Sequence, residues 1–107
     1  LFKLSKKVKL KKGDFEKTMK IEKNLPKKIS VGFIDCDLYG GYKSSLKHFW
    51  PRLEKNGKLF LDEYYSLKFP GPRFAVEEFL IKNKNAKLIK EGYSLDFERW
   101  SIKKDSF

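Results

Sequence analysis

The sequence predicts an α/β fold: a parallel βαβ core closed by a C-terminal antiparallel hairpin. Three observations lead there. Ile29–Ile34 and Lys58–Leu61 are apolar runs of strand length. Between them, Tyr42, Leu46, Phe49, Trp50 and Leu53 recur at helical spacing. Near the end, Trp100 and Ile102 alternate with Arg99, Ser101 and Lys103, which is the period of a half-exposed strand.

Each element has a local reason. Val8–Lys11 reads as a short strand, broken at Gly13-Asp14-Phe15, and Asp14 can cap a short helix running to Lys20. Asn24-Leu25-Pro26 is a turn signal. Ile29, Val31, Phe33 and Ile34 make a continuous apolar run with two β-branched types, as expected of a strand buried on both faces of a parallel sheet. Gly40-Gly41 ends the loop that follows, and residues 42–53 read as an amphipathic helix whose last turn Pro51 kinks or shortens. Asn56-Gly57 reads as a helix-terminating turn. Strand, helix and strand within about 35 residues is the size of a βαβ unit, whose crossover is right-handed and whose strands are parallel. Pro70-Gly71-Pro72 opens a further helix, with Pro72 suited to its first turn and Ala75, Val76, Phe79 and Leu80 as its apolar face. Lys87–Lys90 and Phe97–Lys103, joined by Glu91–Asp96, form the expected hairpin.

Composition narrows the class. The chain has 107 residues, 40% hydrophobic and 16% aromatic, which suits one domain with a modest core. It starts with Leu, so the expectation is a piece of a longer protein. No apolar run approaches the ~20 residues of a membrane helix, and the N-terminus lacks the apolar stretch of a signal peptide. A single cysteine, Cys36, rules out an internal disulfide framework and fits a reducing, cytoplasmic setting. The thiol sits between two carboxylates, which oppose its ionisation and mark it as a packing residue. One Cys and one His make a cysteine-based zinc site a poor expectation. The net charge of +11 raises nucleic acid as a partner. However, only Arg52, Arg73 and Arg99 are arginines, whereas reading of bases and phosphates favours that side chain. The lysines concentrate in residues 1–30, as a solvated basic surface would.

Acids are few, yet both central strands end in them: Asp35 and Asp37 after the first, Asp62 and Glu63 after the second. Parallel neighbours finish on the same edge, about 4.8 Å apart, and open α/β sheets bind ligands there. Converging carboxylates repel unless a positive charge lies between them, a place that Mg²⁺ fills well. The residues alone leave phosphoryl transfer, methyl transfer and no chemistry all open.

The order of short motifs narrows this further. FIDCDLY (33–39), Ser44-Ser45-Leu46, Pro51-Arg52-Leu53, NGKLFLDEYY (56–65) and PGPRFAVEEF (70–79) together resemble the macrocin O-methyltransferase family. Gly13, Phe15 and Thr18 match its upstream GxFxxT, and the Trp100 strand is similar to its last strand. The resemblance covers most of the chain from about residue 8. Such enzymes are class I S-adenosylmethionine (SAM) methyltransferases acting on sugar hydroxyls in antibiotic assembly. The resemblance implies the C-terminal half of a Rossmann-like class I methyltransferase fold, with residues 1–107 a single partial domain. Nothing here matches the family's glycine-rich SAM loop or the acid after its second strand, and Ile29–Ile34 would normally pair with the first strand of that other half.

By position, the resemblance makes Asp35 a metal ligand and general base, Asp62 the first acid of a metal-binding pair, and Glu63 the second, one methylene longer than the usual Asp. Asp37 is expected to be structural. Gly40-Gly41-Tyr42 departs from the family's acidic and Ser/Thr residues at that place. Tyr64 and Arg73 are expected to contact substrate. The implied cofactors are SAM and Mg²⁺, and the partner is a small-molecule hydroxyl acceptor, a sugar or related compound. No membrane partner is expected, nucleic acid is disfavoured, and a homo-oligomer is left open. Whether this chain alone is an enzyme also stays open. The rival readings are a non-catalytic remnant of the half-fold and a lysine-rich nucleic-acid-binding module.

Overall fold

The computed structural model describes residues 7–94 and 97–105. Its order is α1 (Phe15–Thr18), β1 (Ile29–Ile34), α2 (Tyr39–Phe49), β2 (Leu53–Leu61), α3 (Gly71–Lys82), β3 (Ala86–Ser94) and β4 (Phe97–Lys104), with 3₁₀ turns at Glu22–Asn24 and Trp50–Arg52. The four strands form one sheet in the order β1-β2-β4-β3. β1 and β2 run parallel, and β4 pairs antiparallel with both β2 and β3. This is the expected βαβ core with a terminal hairpin. No described helix is long and apolar enough to cross a membrane.

Helices α2 and α3 pack together over one face of the sheet. Tyr42 and Leu46 from α2 and Ala75 and Val76 from α3 share a core with Ile34, Leu59, Leu61 and Ile102. Burying these side chains is the main force holding the layers together. Trp50 meets Phe79 edge to face at 5.0 Å between ring centroids, and this joins the two helix ends. The Lys104 ammonium closes the end of α2 by donating to the Trp50 and Leu53 carbonyls, a favourable place for a cation.

Several expectations need correction. Val8–Lys11 is exposed and irregular rather than a strand. Asp14 does cap α1, its carboxylate accepting from the Glu16 amide at 3.0 Å, but that helix ends at Thr18. Helix α2 starts three residues earlier than Tyr42 and gives way to a 3₁₀ turn carrying Pro51, which has no amide hydrogen to continue an α-helix. Asn56-Gly57 ends no helix. It lies inside β2, where Asn56 adopts a left-handed φ of 66° that asparagine tolerates. The irregularity absorbs a register change: Ile29 pairs Leu53 and Val31 pairs Lys58, so β2 runs through residues 54–57 while β1 advances by Ser30 alone. β3 is longer than Lys87–Lys90, and its own register shift falls at Gly92, where φ is 155°. Of the expected Glu91–Asp96 connection, residues 95 and 96 lie outside the described residues.

The face opposite the helices differs most from expectation. Among the described residues, β1 is covered on one side only, with Val31 66% and Phe33 53% exposed. Ser101, expected at the surface, is fully buried there. Its hydroxyl donates to Glu91 at 2.6 Å, and the same carboxylate oxygen holds the Lys58 ammonium at 2.7 Å. A buried hydroxyl is tolerated because it is bonded.

Candidate functional site

The parallel register aligns the ends of β1 and β2. Ile34 pairs with Leu61, so Asp35 and Asp62 are the next residues on adjacent strands. The Asp62 amide continues the ladder by donating to the Ile34 carbonyl at 3.1 Å. The register sets the two acids side by side at the sheet edge. Neighbouring carboxylates repel, which favours the protonated form of the more buried one. The partly buried Asp62 carboxyl is accordingly raised to about 6, by burial first, then by Asp35 and the charge of Glu63, with Arg99 acting in the opposite direction. The Arg99 guanidinium, from β4, stands 3.7 Å from Asp62.

Glu63 is held by its backbone. Its amide donates to the Tyr42 hydroxyl at 3.1 Å, and that hydroxyl donates to the Ile34 carbonyl at 3.2 Å. Tyr42 is fully buried, and burial keeps its phenol well above the ordinary tyrosine range and therefore protonated. Tyr64 is 5% exposed, its ring tilted against Trp100 at 5.2 Å. The Arg73 guanidinium, in the first turn of α3, lies 5.0 Å over the Tyr64 ring and reaches Glu77 at 3.9 Å. Of the pair Tyr64 and Arg73, only the arginine faces solvent. Asp37 is exposed on the loop before α2. The Cys36 thiol beside it is pushed up to about 11 by burial and by Asp37, Asp35 and Glu16, which makes its reactive thiolate scarce at neutral pH.

The structure therefore sets Asp35 beside Asp62 and anchors Glu63 next to them. Among the described residues, no group of three or more His, Cys, Asp or Glu is arranged to hold a metal ion. The donor chemistry still suits a hard cation: two neighbouring carboxyl groups and a third acid adjacent in sequence. Two neighbours escaped the sequence reading. Tyr42 had the spacing of an ordinary core residue. Arg99 could be found only from the antiparallel register, in which Leu61 pairs with Trp100.

Fold and site together define an α/β domain with acids at the aligned carboxyl ends of two parallel strands, the edge where open α/β sheets bind ligands. The model of the macrocin-O-methyltransferase (TylF) family matches residues 2–93, and the chain belongs to that family. The solved structure of the O-methyltransferase NovP aligns with a TM-score of 0.62 and 22% identity, covering 75% of this chain and 31% of NovP. A structure of the calicheamicin methyltransferase CalS11 aligns at 0.67 and 26% identity, covering 85% of this chain and 35% of that one. An apo structure of CalS11, described as a TDP-rhamnose 3'-O-methyltransferase of calicheamicin biosynthesis, aligns at 0.61 and 22%, with coverage of 83% and 36%. The chain thus spans about a third of the length of these structures. No curated protein sequence matches it.

Proposed function

We propose that this chain forms the metal- and acceptor-binding part of a SAM- and Mg²⁺-dependent O-methyltransferase whose acceptor is a hydroxyl of a sugar or related small molecule. The observation that carries the reading is the pairing of Asp35 with Asp62 at the aligned ends of two parallel strands, in a chain of a methyltransferase family. Asp35, Asp62 and Glu63 would hold Mg²⁺, which supplies positive charge that acidifies a bound hydroxyl. Asp35 would accept the hydroxyl proton as the acceptor oxygen takes the methyl group and the donor sulfonium leaves as a neutral thioether. Arg73, stacked on the buried Tyr64, is the substrate-facing cation of this arrangement. The sulfonium donor is held mainly by parts of the fold outside the portion shared with NovP and CalS11.

Calorimetric titration with Mg²⁺ and with SAM tests the reading. Binding of Mg²⁺ is expected in the wild-type chain and lost in Asp35→Asn and Asp62→Asn, with little heat from SAM. Absence of Mg²⁺ binding in the wild type, or binding that survives both substitutions, would overturn it.

A further inference from the structure

We infer that Tyr42 is a positioning residue: its hydroxyl clamps the loop carrying Asp62 and Glu63 onto the end of β1, beside Asp35. Three hydrogen bonds close a ring. The Asp62 amide donates to the Ile34 carbonyl at 3.1 Å. The next amide, that of Glu63, donates to the Tyr42 hydroxyl at 3.1 Å. The same hydroxyl returns to the Ile34 carbonyl at 3.2 Å. One carbonyl of β1 therefore governs two successive amides of the departing β2 chain, one directly and one through the phenol. Asp62 sits between those amides and Asp35 follows that carbonyl, so the ring fixes the backbone on which the carboxyl pair is built.

The need for such a device follows from the strand ends. β2 stops at Leu61, so sheet pairing does not supply a partner for the Glu63 amide. A buried amide without a partner costs about 1–3 kcal/mol. Tyr42 satisfies it from below, from the first turns of α2, with a ring that has no freedom because it is fully buried among Ile34, Leu46 and Leu61. Donor groups need placing to within about 0.5 Å to work together, and residues that orient metal ligands are typically worth 10–100-fold in metal affinity.

Tyr42→Phe in the full chain tests the inference, since it removes one oxygen and retains the ring that fills the core. The Glu63 amide is expected to exchange its hydrogen at least tenfold faster, with the amides of Leu59 and Ile102 unchanged. The metal arm rests on the function proposed above and uses Mn²⁺ as the probe. Its affinity, read from the electron paramagnetic resonance signal of free Mn²⁺, is expected to fall about tenfold with the thermal midpoint changed by only a few degrees. Unchanged Glu63 exchange overturns the clamp. Faster exchange with unchanged Mn²⁺ affinity overturns its positioning role. If the wild-type chain binds no Mn²⁺, the metal reading fails separately, and the exchange comparison still decides the clamp.

Discussion

Asp62 lies beside Asp35, the Arg99 guanidinium offsets part of the charge, and the Asp62 carboxyl is raised to about 6. An unfolded aspartate titrates near 3.9. The folded state therefore holds the proton more tightly. The stabilisation is complete below about pH 4, is lost as pH rises through about 6, and leaves a net cost at neutral pH. Asp62→Asn removes that cost. Metal-free, the variant is expected to be more stable than wild type at pH 7.5 by on the order of 1 kcal/mol after solvent screening, and the difference should shrink towards pH 4. Urea denaturation across this range measures it, and a variant less stable at pH 7.5 would contradict the crowding of the two acids. Cys36 gives a second test at one atom. Its thiol, at about 11 against an ordinary 9.0, should be alkylated at pH 8 roughly 100-fold more slowly than a free cysteine, because only the thiolate reacts.

The site depends on α2 and α3 approaching closely at their first turns. A Cβ on Gly71 would lie 2.7 Å from the Tyr39 backbone nitrogen, and backbone cannot swing aside. The hydrogen bond from the Tyr39 hydroxyl to Glu78, at 2.6 Å, crosses the same junction. Gly71→Ala should therefore cost about 1–3 kcal/mol by overpacking, read as a lowered midpoint in urea; a neutral result would contradict a tight junction between the two helices. This contact was not legible in the sequence, where Gly71 was only part of a helix-opening Pro-Gly-Pro. The period-2 and helical patterns did reveal β1, the body of α2, α3 and the terminal hairpin, because each of those elements buries a face and must repeat accordingly. They misplaced the start of β2, since Asn56-Gly57 has the chemistry of a turn and here supplies a bulge within a strand. For the site, matched acids at two strand ends were visible, since both strands carry them at the same point. The Tyr42 ring of bonds and the Arg99 contact were not, because each depends on register and on where a buried hydroxyl points.

Among the described residues, helices cover the sheet on one side only. Val31 and Phe33 of β1 project from the uncovered face, and Phe60 and Ile89 lie partly exposed on the same side by register. β1 is also an outer strand, and Ile29–Ile34 contains neither a charge nor a proline to discourage pairing. An apolar face beside an open strand edge should drive self-association at high protein concentration. The net charge of +11 opposes this at long range. Raising salt from about 20 mM to about 200 mM shortens the Debye length severalfold and should strengthen the association. Replacing Val31 and Phe33 together with Thr keeps β-branched residues on the strand while removing the apolar surface. Because both side chains are already largely exposed, the fold should lose no more than about 1 kcal/mol. Sedimentation velocity over a concentration series reads the result. Growth of larger species in the wild type, increasing with salt and reduced in the double variant, is expected. A wild-type chain that stays monomeric at high concentration and high salt would show that the uncovered face is too small to act as an adhesive surface.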